Sequence, residues 1–162
     1  QYRALRSLMD GYPNTIFIVW TLAPLHRLAT SPDDAARAKQ FVDWVNTDFL
    51  TEDGNHPNIF IFDFWGIVAE DDPTPVNGQV NCLRYAFESS HDSGDSHPNQ
   101  SANEVAGPAF AQRIVDAIQI CTGGGGRTSS SSSGGTGSSS SGGVVADDDG
   151  GGSSSGCFIS SF

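Results

Sequence analysis

Basic residues are scarce in this chain: eight Lys and Arg stand against 19 Asp and Glu in 162 residues, a formal net charge of −11. The imbalance is spread along the chain, with seven basic and sixteen acidic residues in 1–121 and one against three beyond. A uniformly acidic surface argues against nucleic acids and anionic membranes as partners, because both are recognised through basic patches. Long apolar runs are also missing, and with them any transmembrane segment or signal-like stretch. The three cysteines, Cys82, Cys121 and Cys157, lack the C-x-x-C spacing of a metal knuckle. An oxidising compartment would allow a Cys82–Cys121 bridge, and two unpaired thiols are the alternative.

Apolar residues run out at a definite point. Residues 1–121 carry aromatic and branched side chains in periodic clusters, whereas 25 of the 35 residues in 122–156 are Gly or Ser. Such a composition cannot bury enough apolar surface to offset its ordering entropy, so 122–156 is expected to be a disordered linker. A short motif, residues 157–162 with Cys157, follows it. The chain opens on Gln1 rather than methionine, which suggests a piece of a longer reading frame.

Within 1–121 the pattern alternates between helix and strand. Tyr2, Leu5, Leu8 and Met9 share one helical face, with Arg3, Arg6 and Asp10 elsewhere, and Gly11 marks the end. Residues 15–22 form a continuous apolar, β-branched run of the kind buried on both faces of a parallel sheet. Ser31-Pro32-Asp33-Asp34 opens a helix to about Leu50: the serine caps, the proline suits the first position, and the acids complement the dipole. Asn58 to Val68 reads as a second buried strand, and 82–90 as a short element of undetermined type. Ala102 to Ile120 has helical spacing, with Pro108 either opening the main helix or lying inside one that begins near Gln100. This alternation predicts an α/β fold with a parallel sheet covered by helices on both faces. Two strands cannot make a stable sheet of that type, so only the C-terminal half of a domain is expected.

Chemistry concentrates in residues 91–103, HDSGDSHPNQSAN. His97 is the candidate base, since an unperturbed imidazole titrates near neutrality and needs only an acceptor on its second nitrogen to be oriented. Asp95 is the first candidate for that acceptor; Asp92 and the Gly94 carbonyl are the others. His26, in the loop after the first strand, reads as a solvated histidine, and His56 as a loop residue beside Pro57. Asp63 falls near the end of the second strand, as a candidate site carboxylate or merely a satisfied strand-end group.

Asp95-Ser96-His97-Pro98-Asn99, taken with TIFIVWTLAPL at 15–25 and the order of elements between them, resembles the last sequence block of the SGNH (GDSL-type) serine hydrolases. The resemblance covers about residues 1–120. It implies a flavodoxin-like α/β/α sandwich and carboxylic ester hydrolysis without a cofactor, with His97 as base and Asp95 as its orienting acid. Substrates would be small-molecule, glycan or lipid esters. Two departures accompany it. The family's acid stands three residues before the histidine, where this chain has Gly94. Its Gly-Asp-Ser nucleophile block and its oxyanion glycine and Gly-x-Asn-Asp are missing, and Gly94-Asp95-Ser96 lies against the base, where a nucleophile does not belong. The chain alone is therefore expected to be inactive. The Gly/Ser tail with Gly156-Cys157-Phe158-Ile159 resembles bacterial C-terminal sorting segments, which implies a secreted or cell-surface protein tethered through its tail. Two rival classes are a noncatalytic α/β binding or adhesion domain on a stalk, and a metal module built from His91, Asp92, Asp95 and His97.

Overall fold

The computed structural model describes residues 1–123 and the backbone of Phe158–Ile159. The elements run α1 (Tyr2–Asp10), β1 (Thr15–Trp20), α2 (Pro32–Thr47), β2 (Ile59–Phe62), α3 (Phe64–Val68), a 3₁₀ turn (Tyr85–Phe87), α4 (Gln100–Cys121) and β3 (Phe158–Ile159). The fold is mixed α/β around a small parallel sheet. Its centre is the β1–β2 pair, in register from Phe17 opposite Ile59 to Trp20 opposite Phe62. The two residues of β3 lie on the other side of β1, so the strand order is β2-β1-β3. The linker and most of the C-terminal motif, 124–157 and 160–162, lie outside the described residues.

Because β1 and β2 pair in register, their alternate side chains collect on the same two faces. Phe17, Val19, Ile59 and Ile61 pack with Met9 of α1 and with Trp44 and Phe49 from α2 and the turn after it. Ile16, Ile18 and Phe60 pack with Ala117, Ile118 and Cys121 of α4. Helices thus lie against both faces, as the buried apolar runs require.

Local chemistry explains the helix ends. Ser31 Oγ accepts the Asp34 N–H at 3.1 Å with Pro32 at the first helical position, as the sequence predicts for α2. At α4, Asn99 Oδ1 accepts the Ala102 N–H at 3.2 Å, and the helix runs from Gln100 through Pro108 without restarting there. Pro108 removes one helical donor, and packing of Ala102, Ala106 and Ala117 in buried positions carries the helix past it.

Two expectations are corrected, and one open alternative is decided. The run 58–68 is a four-residue strand followed by helix, because Asp63 Oδ1 accepts the Gly66 N–H at 3.0 Å and starts α3 where apolar content alone would continue β2. Gly66 suits that turn: a Cβ there would sit 2.5 Å from Asp63 Oδ2 and push the capping carboxylate aside. On α1 only Met9 of the apolar face enters the core; Leu5 and Leu8 are 47% and 60% exposed, while Arg6 is 1% exposed. The Arg6 guanidinium donates to the Phe49 carbonyl and to Asp53 Oδ2, the latter at 2.6 Å, and tucks its stem under the turn after α2. Finally, Cys82 is buried with its sulfur 3.1 Å from Gln79 Nε2, and it is not bridged to Cys121, whose Sγ lies 3.8 Å from the Pro57 carbonyl.

Candidate functional site

The carboxyl ends of β1 and β2 are the positions from which an open α/β sheet presents ligand-contacting groups. At β2 that end is occupied by structure. Thr21 Oγ1 donates to Asp63 Oδ1 at 3.2 Å and accepts the Trp65 N–H at 2.9 Å, while the same carboxylate caps α3. Asp63 is a strand-end group whose Oδ1 is engaged in folding contacts.

At β1 the chain turns at Pro24 into a loop whose His26 is fully buried, not solvated as its loop position suggests. Its Nδ1 accepts the Leu28 N–H at 3.0 Å, which leaves the ring proton for Nε2. Nε2 stands 3.1 Å from both the Ser90 carbonyl and Glu88 Oε2. The imidazole is a peg joining the 25–28 loop to the segment that precedes His97. His56 is likewise no idle loop residue: it bridges Asp10 Oδ1 at 2.8 Å and the Glu52 carbonyl at 3.0 Å.

Glu88 is the hub that sequence reasoning missed. Its side chain is buried and meets His26, His91 Nδ1 at 2.9 Å and Arg27, whose Nε lies 3.2 Å from Oε1 but off the hydrogen-bond direction. His91 stacks on Tyr85 at 3.7 Å between ring centroids with planes 5° apart, and Arg27 donates to the His91 carbonyl at 2.6 Å. Nothing local in ESSHD marks Glu88 as buried, because His26 and Arg27, which meet it beside His91, come from a loop more than sixty residues earlier.

The segment carrying His97 is pinned from several sides. Glu88 and Pro98 form an antiparallel bridge, Ser89 Oγ donates to the His97 carbonyl at 2.8 Å, and Asn99 Nδ2 reaches the carbonyls of Ala86 and Glu88. Ser96 Oγ accepts the His26 N–H at 2.9 Å, so its hydroxyl acts as a strut between loops. Gly94 adopts φ +69° with Leu28 3.6 Å from where a Cβ would stand, a conformation that suits only glycine here.

His97 itself points out of this frame, with its side chain 92% exposed. Its Nδ1 lies 2.6 Å from Asp95 Oδ1, and the same oxygen accepts the His97 backbone N–H at 3.0 Å. That backbone N–H first, and the imidazole second, hold the Asp95 carboxyl below its usual range. Asp92 makes no contact with the ring; its backbone N–H turns back to Ser90 Oγ. Of the three candidate orienting groups, it is Asp95 that touches His97. Nε2 makes no hydrogen bond among the described residues, so the arrangement is an imidazole held by a carboxylate with its other nitrogen presented to solvent. Such a pair can take a proton from a group brought to it. No hydroxyl or thiol among the described residues is bonded to Nε2.

His91, Asp92, Asp95 and His97 do not converge: the first pairs with Glu88 and the last with Asp95. Among the described residues no group of three or more His, Cys, Asp or Glu is placed to hold a metal ion. Nor is any helix among them long and apolar enough to cross a membrane. No family model, curated protein or solved structure matches the chain, so the site stands on its own geometry.

Proposed function

We propose that this chain is the base-bearing half of an SGNH-type serine acylhydrolase with a flavodoxin-like α/β/α architecture, acting on ester bonds. The observation that carries the reading is the Asp95–His97 contact, 2.6 Å at Nδ1 with Nε2 unpartnered, on a loop pinned beside the carboxyl end of a parallel sheet. In this reading His97 Nε2 accepts the proton of a serine supplied from outside residues 1–162 as that serine attacks the ester carbonyl. Asp95 holds the imidazole in place and stabilises the imidazolium that forms. The same proton passes to the leaving alkoxide, and His97 then deprotonates the water that releases the acyl group. The Gly/Ser tail makes the protein one of the cell surface or the extracellular medium.

The test is kinetic. In the complete protein carrying a Gly-Asp-Ser segment, His97→Ala lowers kcat on p-nitrophenyl esters by about 10³–10⁶, the range for triad members. An unchanged kcat in a folded His97→Ala protein overturns the reading and favours a noncatalytic binding domain.

A further inference from the structure

His97 is one of two imidazoles in this fold with a carboxylate at one ring nitrogen and solvent at the other. His26 and His56 have partners at both nitrogens and serve the structure. His91 is different. Its Nδ1 lies 2.9 Å from Glu88 Oε2, its side chain is partly exposed, and its Nε2 makes no hydrogen bond among the described residues. Because the partner is a carboxylate, Nδ1 holds the ring proton and Nε2 keeps a lone pair.

We propose that Glu88 and His91 form a second proton-accepting site, which takes a proton at His91 Nε2 from a hydroxyl group or a water molecule. In that step the Nε2 lone pair bonds the incoming proton and the oxygen keeps the electron pair. The Nδ1 proton stays in its hydrogen bond to Glu88, whose charge stabilises the imidazolium that forms. The inference is independent of the esterase reading, which uses His97.

Three features distinguish this pair from Asp95–His97. The Glu88 side chain is fully buried, whereas that of Asp95 is 44% exposed, and a buried charge acts on its neighbour with far less screening than one at the surface. The His91 ring is also held on a second side. It stacks on Tyr85, 3.7 Å between centroids, while Arg27 donates to the His91 carbonyl at 2.6 Å with its Cζ 5.6 Å from the centre of the same Tyr85 ring. His97 has Asp95 alone, two residues away. Finally, the buried carboxylate is fixed by groups from another loop. His26 Nε2 stands 3.1 Å from the same Oε2, and Arg27 Nε stands 3.2 Å from Oε1. That guanidinium contact balances the charge without a directed hydrogen bond, so the imidazoles are the groups that Glu88 orients.

Ring-nitrogen NMR on the full chain tests the pair, because the tautomer separates an oriented imidazole from a solvated one. The neutral His91 ring is expected in the Nδ1–H form by about tenfold or more, the preference that a hydrogen bond to a charged group imposes. His26, which accepts at Nδ1, shows the opposite tautomer. Site-resolved carbethoxylation by diethyl pyrocarbonate then reads whether the Nε2 lone pair is open. His91 should react at least about tenfold faster than His26 and His56, which the reagent reaches only through local opening, and equally fast in His97→Ala. A folded Glu88→Gln protein should lose the tautomer preference at His91; if that variant does not fold, the measurements on the intact chain decide. An Nε2–H ring or averaged tautomers at His91 in the intact chain would overturn the inference and leave a surface contact only. So would a His91 as slow to react as His26, or a preference that survives in folded Glu88→Gln.

Discussion

Replacing His26 by alanine removes a side chain that the sequence places in a solvated loop and the fold places at full burial. The Leu28 N–H that Nδ1 accepts and the Ser90 carbonyl that meets Nε2 both lose this partner, and the buried Glu88 carboxylate loses one of its three contacts. A buried donor or acceptor left unpaired costs about 1–3 kcal/mol. These costs overlap, and water entering the vacated space recovers part of them, so the expected loss is about 3–4 kcal/mol. That is a large fraction of the ~5–15 kcal/mol that holds a typical domain together. Urea unfolding followed by fluorescence of Trp20, Trp44 and Trp65 reads it directly. With a slope near ~2 kcal/mol/M the midpoint falls by about 1.5–2 M. His26→Asn keeps an acceptor for the Leu28 N–H and His26→Gln keeps a donor toward Ser90, so each recovers part of the loss. A His26→Ala cost below about 1 kcal/mol, the scale of an ordinary surface substitution, would refute the peg and restore the solvated reading.

On the proposed acylhydrolase reading, in a protein that also carries the nucleophile segment, Asp95→Ala lowers kcat less than His97→Ala does, and Asp92→Ala changes it by under about tenfold, or roughly 1.4 kcal/mol of barrier; equal effects of the two aspartates would remove Asp95 as the orienting group. The present chain hydrolyses p-nitrophenyl acetate no faster than free imidazole, and Ser96→Ala leaves that rate unaltered, since its hydroxyl is committed to the His26 N–H; saturable turnover lost on Ser96→Ala would make the local Gly-Asp-Ser a nucleophile. His56 is held above its ordinary pKa, chiefly by the Glu52 carbonyl and then by Asp10. A raised folded-state value means its stabilisation is fully present below the unfolded pKa of about 6.5 and is lost as pH rises through the folded one. Denaturation midpoints should therefore fall from pH 6 to 8 in the parent and fall less in His56→Gln, and identical slopes would contradict the contact. Glu52, whose carboxyl is pulled down to about 2 by hydrogen bonds from Arg3 and Trp44, has the opposite sign: its contribution is present above about pH 4.3 and is lost as pH falls toward 2. Glu52→Gln should flatten the acid limb of the same curve.

Period and punctuation made much of this protein legible in its sequence. The apolar run at 15–22 contains β1, Ser31-Pro32 begins α2, and the spacing after Asn99 produces α4, because each depends on residues within a turn or two of one another. His97 and Asp95 were legible for the same reason: two residues apart, they meet through a local turn. What tertiary structure alone decided involves partners far apart in the chain. The Asp63 carboxylate that caps α3 is also held by Thr21, 42 residues earlier. Arg6 is buried because the turn after α2 brings Phe49 and Asp53 to it, and Leu5 and Leu8 of α1 are left exposed. His26 and Glu88 are buried together only once two loops at the same end of the sheet have met. Periodicity says which residues prefer to leave water. It does not say which surfaces will be there to receive them, and that depends on contacts the folded chain makes across its length.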